Sequence, residues 1–355
     1  MSTTVALYFV ASPLQYLAAR QIAQHHEAGA RQVLVWYQPG ITSLIQAHEW
    51  DASAYMPWPR WNPLPGWFGR HRRLRANIRM VADLVGPCDE VHIHSAVFDT
   101  EAINYFLRAL PPAIGARAMK ARILPDGLIS IRRYPLSHIK RLLQYLRKLR
   151  RLAAPELDYW CFAGDRIGSD APFCDRIYVL PGLPHVYAAD KVVTLPPLIA
   201  PAESASHATT GKRALVVGQP MVGAGLMTSE HRDQVTHEIR SWLQTQGYEI
   251  VHYKGHPKDP HNELCSPDYE VLNLKEPIEL WMSRHRYDAV VGTRSTALLF
   301  AAQLYGAGTQ VLAFGWDRTR FKSDTEKRDM VRAFEQSGVK LQGLTEGAPR
   351  SQPSP

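Results

Sequence analysis

Six apolar residues in a row, Val5-Ala6-Leu7-Tyr8-Phe9-Val10, run directly into Ser12-Pro13 and a helical pattern carried by Leu14, Leu17, Ala18 and Ile22. A strand with no polar alternation is covered on both faces, as in a parallel sheet. Serine followed by proline is a helix start, because serine caps the free amides and proline suits the first helical turn. The pattern then repeats. Strands are predicted at Arg31 to Tyr37, Glu90 to His94, Lys120 to Leu124, Asp175 to Leu180 and Lys191 to Leu195. Helices are predicted near Ile41 to His48, from Arg70 to Leu84, from Thr100 to a stop at Pro111-Pro112, and from Leu136 to Leu152. After a stretch rich in proline, serine, alanine and threonine the alternation restarts. Strands are predicted at Arg213 to Val217, Tyr248 to Tyr253, Ala289 to Gly292 and Thr309 to Phe314, with helices at His231 to Gln246, Glu276 to Arg284, Ala297 onward and Thr325 to Gln336. Strands alternating with helices predict an α/β protein with doubly wound parallel sheets. The expected architecture is two Rossmann-like domains, residues 1–196 and 212–340, joined by a linker at 197–211 and facing a central cleft, with a disordered tail at 341–355.

A chain of 355 residues is long enough for two such cores. Its four cysteines, Cys88, Cys161, Cys174 and Cys265, show no CxxC spacing. That argues against a zinc site or a disulfide framework and suits a reducing, cytoplasmic compartment. Met1 to Thr4 lacks a basic n-region, and no apolar run reaches membrane-spanning length. Lysine and arginine total 41 against 33 acids, a net charge of +8. An acidic partner follows: an anionic sugar nucleotide, an anionic glycan or an anionic membrane surface. Nucleic acid is rejected, because no recognised binding module accompanies the charge. The charge is concentrated. Between Gly127 and Pro155 there is no acid, while Arg132, Arg133, Lys140, Arg141, Arg147 and Lys148 lie there with leucines at helical spacing. A basic amphipathic helix over 136–152 fits an acceptor polyanion or the inner membrane surface, where the protein would be peripheral; a solvated face on a packed helix is the plainer reading. The segment Tyr55 to Trp67, dense in proline and tryptophan, is a loop whose rings either pack beneath it, stack on a sugar or dip into a membrane interface.

Three turns at predicted sheet edges carry the chemistry. Tyr253-Lys254-Gly255-His256-Pro257-Lys258 ends a strand with an imidazole between glycine and proline. Ligands of open α/β sheets bind at that edge. Gly292-Thr293-Arg294-Ser295-Thr296 delivers hydroxyls to the start of a helix, where free amides and the helix dipole suit a phosphate. Pro125-Asp126-Gly127 is an ordinary turn signature, and at a strand's end it is also placed to supply a base. His92-Ile93-His94 puts two imidazoles on one face of a strand, read as sheet histidines because a third metal ligand is missing. No DxD triplet, GxxxxGK[ST] loop, GxGxxG turn or GxSxG elbow occurs. Metal-clamped nucleotide-sugar, kinase, dinucleotide and hydrolase readings therefore lack their fingerprints.

The order Asp-Gly, Gly218-Gln219-Pro220, Lys254-Gly255-His256-Pro257, Pro277-Ile278-Glu279 and Ser295-Thr296, preceded by Ala11-Ser12-Pro13-Leu14-Gln15, resembles the bacterial sialyltransferases of the two-domain glycosyltransferase-B fold. The lipooligosaccharide sialyltransferases and capsular polysialyltransferases are the groups it resembles most. The resemblance spans residues 5 to 316 and rests on motif order. It implies an inverting, metal-independent transfer of sialic acid, or a related nonulosonic acid, from a CMP-activated donor to a surface glycan hydroxyl, with no cofactor. By the same resemblance Asp126 is the catalytic base. His256, the second catalytic residue, contacts the donor phosphate and acts as acid, with Pro257 beside it; Ser295 and Thr296 bind that phosphate, Glu279 holds the ribose, and Gly218 and Gln219 line the donor site. One departure stands out: Pro125 occupies the family's first acidic position. Two alternatives stay open: a CMP-Kdo-dependent transferase of the same fold, and a non-catalytic glycan- or membrane-binding relative.

Overall fold

The computed structural model describes residues 3–127, 131, 133–198, 211–256, 258–274 and 276–343. Arg132, Pro257, most of the expected linker and residues 344–355 of the expected tail lie outside them. The chain divides into two compact units, Met1–Leu198 and Ile199–Pro355.

In the first unit the strands are β1 (Thr4–Val10), β2 (Arg31–Trp36), β3 (Ala52–Tyr55), β4 (Glu90–Ser95), β5 (Ala118–Ile123), β6 (Cys174–Val179) and β7 (Val192–Thr194). They form one parallel sheet in the order β3-β2-β1-β4-β5-β6-β7. Its helices are α1 (Pro13–His25), α2 (Gly69–Val85), α3 (Glu101–Asn104), α4 (Phe106–Ala113) and α5 (His138–Lys148). In the second unit, β8 (Arg213–Val217), β9 (Ile250–Lys254), β10 (Glu270–Val271), β11 (Ala289–Gly292), β12 (Gln310–Ala313) and β13 (Lys340–Leu341) pair in the order β10-β9-β8-β11-β12-β13. The helices there are α6 (Ser229–Thr245), α7 (Ile278–Arg284), α8 (Thr296–Tyr305) and α9 (Asp324–Gln336). Numbered within each unit, both sheets begin 3-2-1-4-5-6, the doubly wound Rossmann order. The order reverses between β1 and β4, and again between β8 and β11.

Burial explains the apolar runs. From Val5 to Val10 every residue of β1 is buried between β2 and β4, with Leu7 in register with Val33 and Ile93. The core of the first unit joins Leu7, Phe9, Ile93, Phe106, Ile123 and Ile177; that of the second joins Val216, Ile239, Tyr253, Val291 and Leu312. Burying one such side chain contributes about 1.5–3 kcal/mol.

The departures from the sequence expectations have local causes. Residues 41–48 form two short 3-10 turns, Pro39–Leu44 and Ala47–Glu49, not an α-helix. Thr42 there accepts a hydrogen bond from the Trp36 indole at 3.0 Å, the kind of side-chain pairing that competes with helix. β3, β10 and β13 are edge strands of two to four residues, too short to show a period. β13 takes Leu341 out of the expected disordered tail by pairing it with Ala313. α4 includes Pro111 and Pro112 before it ends. Among the described residues, no helix is long and apolar enough to cross a membrane.

His92 and His94 do share a face, and it is occupied. Nδ1 of His92 lies 2.9 Å from Glu27 Oε2, and Nε2 of His94 lies 3.5 Å from Glu27 Oε1. Arg122 pairs with Glu27 and, with two bonds of 3.0 Å, with Asp175. Burial holds both histidines below their ordinary range, His94 at about 3. Among the described residues no cluster of His, Cys, Asp and Glu is able to hold a metal ion.

Candidate functional site

Asp126 follows β5, at the carboxyl edge of the first sheet, between buried Pro125 and buried Gly127. It is partly buried, and that burial raises its carboxyl above the usual range. One hydrogen bond, from Gln15, pulls the other way. Gln15 is itself fixed. Its side-chain oxygen accepts the Ala11 amide at 2.7 Å, and its own amide donates to the Ser12 hydroxyl at 3.2 Å, the cap of α1. The turn Ala11-Ser12-Pro13-Leu14-Gln15 is thus a bracket that carries the end of β1 across to Asp126. Tyr37, after β2, lies close enough for Asp126 to help raise its phenol, after the larger effect of burial. Trp58 stacks on Tyr37, ring centroids 4.5 Å apart and 24° from parallel. The proline-tryptophan loop divides: Trp58 packs against the core, whereas Trp61 and Trp67 are exposed.

The second sheet presents a different edge. Gly218 follows β8 and donates its amide to the Lys254 carbonyl at 2.9 Å. Only glycine fits, because a Cβ there would collide with the Tyr253 hydroxyl and sit 3.2 Å from the Gly255 Cα. Gln219 crosses the reversal point between β8 and β11. Its side-chain oxygen accepts the Thr293 hydroxyl at 2.9 Å and the Arg294 amide at 3.0 Å. Beyond it, Ser295 caps α8 by accepting the Ala297 amide at 3.3 Å, and Thr296 is exposed. The first amides of a helix lack intrahelical partners, so this end offers donors and positive potential to an anion.

His256 follows β9. Its Nδ1 accepts the Lys258 amide at 3.0 Å, which leaves the neutral ring's proton on Nε2. Burial, then the nearby Lys258 and Lys254, lower its pKa, against an opposing effect of Asp259. The His256 carbonyl accepts the Asp259 amide at 2.9 Å, and buried Asp259 accepts the Glu263 amide at 2.9 Å. Glu263 in turn grips the glycine loop after β8, accepting the amides of Val222 at 2.6 Å and Gly223 at 2.9 Å. One frame therefore fixes the imidazole and the loop together. Glu279, in the first turn of α7, is raised by burial and lowered by Lys254; Lys254 is lowered by burial, which Glu279 opposes.

Gly218, Gln219, His256, Glu279, Ser295 and Thr296 all belong to one unit, along the ends of β8, β9 and β11 and the start of α7. The roles of Gln15 in the first unit, and of Asp259 and Glu263 in the second, were not anticipated. Their signals were faint: a buried glutamine in a capping turn, and two acids within eight residues of the histidine. Of the basic residues after Asp126, Arg133 pairs with Asp170 at 3.0 Å, and Lys140 is exposed. Arg141 donates to the Ala163 carbonyl at 3.1 Å, Arg147 to the Tyr159 hydroxyl at 3.2 Å, and Lys148 is partly buried.

Two doubly wound units with these edges define a two-domain Rossmann-like protein of the glycosyltransferase-B type. Solved structures agree on the fold. The UDP-GlcNAc 2-epimerase of Neisseria meningitidis bound to UDP-GlcNAc superposes with a TM-score of 0.55 at 13% identity, over 96% of this chain and 87% of that one. The spinosyn rhamnosyltransferase SpnG complexed with thymidine diphosphate gives 0.51 at 13%, over 96% and 86%. The glycosyltransferase of kitacinnamycin gives 0.50 at 10%, over 96% and 86%. No curated protein matches in sequence. Residues 189–313 match the alpha-2,8-polysialyltransferase family. The family match and the shared fold together support a glycosyltransferase that resembles the sialyltransferases. The matched stretch contains Gly218, Gln219, His256, Glu279, Ser295 and Thr296, and stops short of Asp126.

Proposed function

We propose that the protein transfers sialic acid, or a related nonulosonic acid, from its CMP ester to a glycan hydroxyl with inversion at the anomeric carbon. The observation that carries this reading is the family match over the stretch that holds the His256 turn and the Ser295-Thr296 helix start. In it, residues 212–340 bind the donor and residues 1–196 serve the acceptor. Asp126 accepts the acceptor hydroxyl's proton as the oxygen attacks, a task that suits a partly desolvated carboxylate with a raised pKa. His256 donates Nε2–H to the departing phosphate, Ser295 and Thr296 add hydroxyl donors, and the α8 dipole meets the remaining charge. Pro257 would set the turn at His256, and Glu279 would hold the ribose. Nothing in this scheme calls on a metal or a cofactor, so transfer should withstand chelation.

The acceptor is a surface glycan such as capsule or lipooligosaccharide, and an already sialylated chain is the one to test first. Four free cysteines support a cytoplasmic site of action. Isothermal titration of CMP, CDP, UDP, TDP and GDP tests the donor on the wild type and on His256→Ala. Micromolar CMP binding, weakened by the substitution, is expected. A preference for UDP or TDP, the nucleotides in the structural neighbours, would remove the CMP donor and with it sialyl and Kdo transfer alike. With CMP binding in place, turnover of CMP-sialic acid against CMP-Kdo separates the two donors, and turnover of neither leaves a binding protein.

A further inference from the structure

Helix α5 lies on its unit with its polar side inward. Gln144, 1% exposed, donates to Asp99 at 2.7 Å, and Arg141, Arg147 and Arg150 reach Ala163, Tyr159 and Glu101 around it. At 100° per residue the opposite side carries Ile139, Leu142, Leu146 and Leu149, and all four are more than half exposed. The stripe runs on to Leu152, 80% exposed. Soluble helices bury the apolar stripe, so an exposed one of this length marks a contact surface.

A second observation points the same way. Trp67 and Phe68, immediately before α2, are 88% and 72% exposed. Phe68 holds a φ of 56°, a left-handed conformation that is costly for a bulky residue. Arg70, two residues on, pairs with Glu101 at 2.5 Å, and Glu101 also pairs with Arg150 in the 3-10 turn that follows α5. The aromatic pair and the apolar stripe are thus tied to one carboxylate. The surroundings are basic. No acid occurs over residues 128–155, and Arg72, Lys140 and Arg151 are exposed.

We propose that this face docks the protein onto an anionic lipid surface, with the α5 stripe and Trp67 inserted at the interface and the flanking cations against headgroups. Helices of this composition lie in the interfacial plane, and tryptophan favours that depth. A second copy fits less well, because apposing two such faces would bring like charges together. A soluble polyanion would engage the cations and leave the apolar stripe unused.

The test is flotation of the full chain with vesicles of 70:30 phosphatidylcholine:phosphatidylglycerol and of phosphatidylcholine alone. The wild type should bind the anionic vesicles about tenfold more tightly or better. Leu142→Ser/Leu146→Ser should lower that binding about tenfold and Trp67→Ser several-fold, with unchanged melting temperatures, since all three positions are exposed. The proposal is overturned if the wild type ignores both vesicles or if the folded variants float like the wild type. It is also overturned if the wild type sediments as a dimer that the double variant splits.

Discussion

The two sheets share a strand order and differ at their carboxyl edges. The first ends β5 in a carboxylate that its surroundings desolvate and that a hydrogen bond from the Gln15 side chain restrains. The second ends β8 and β9 in a loop and an imidazole braced by the buried acids Asp259 and Glu263, and β11 in hydroxyls and helix amides braced by Gln219. A group that must take up a proton gains from partial burial, because its pKa climbs toward the working pH. A site for a phosphate gains from donors that are already oriented, because they need no reorganisation when charge arrives. In the proposed reaction, one topology, used twice, serves opposite electrostatic tasks.

Substitutions at the two edges should therefore fail differently. Asp126→Ala is expected to lower transfer about a thousandfold or more while CMP titration stays within about twofold of wild type. Loss of CMP binding in that variant would place Asp126 in the donor site and erase the contrast. His256→Ala should do the reverse in kind, weakening CMP about tenfold and slowing transfer about a hundredfold. An unchanged CMP affinity would take the imidazole out of the nucleotide site.

Acid should also separate the units. His94 is held at about 3 and His92 below its ordinary 6.5, so both are neutral in the fold and would take up protons on unfolding. The stability tied to that neutrality is present above pH 6.5 and drains away as pH falls toward 3, by an amount on the order of a few kcal/mol. Hydrogen exchange should show β4 and β5 opening before β8 and β11 as the pH drops, and His94→Gln should flatten the dependence. Simultaneous opening would mean that His252, buried in β9 of the second unit and likewise lowered by that burial, matters as much. The smallest effect is expected at Gln15→Leu. Without its hydrogen bond the Asp126 pKa rises further, and the acid limb of the pH–rate profile shifts upward, with kcat at high pH kept. An unmoved limb would leave Gln15 a structural cap only.

Fold class could be read from the sequence because its signal is long: six buried residues in β1, then a capped helix, repeated in both units. What stayed hidden was short or non-local. The edge strands hold too few residues for a period, and Thr42 diverted a predicted helix into 3-10 turns. The turns at Asp126, His256 and Ser295 stood out because glycine, proline and hydroxyls are rare in combination. Gln15, Asp259 and Glu263 did not, since their importance lies in partners up to 111 positions away. The inverted packing of α5 was illegible for a related reason: periodicity reveals two faces and not which one the protein keeps.

The grip of Glu263 on the glycine loop has a consequence for anyone who would change the donor by transplanting parts. The loop after β8 does not carry its own shape; two of its amides are held by a residue forty positions later, beyond an entire helix and strand. A graft of residues 219–225 alone would arrive without its support. The smallest exchangeable piece runs from Gln219 through Glu263, so the glycine loop after β8 and the histidine turn are inherited together or not at all.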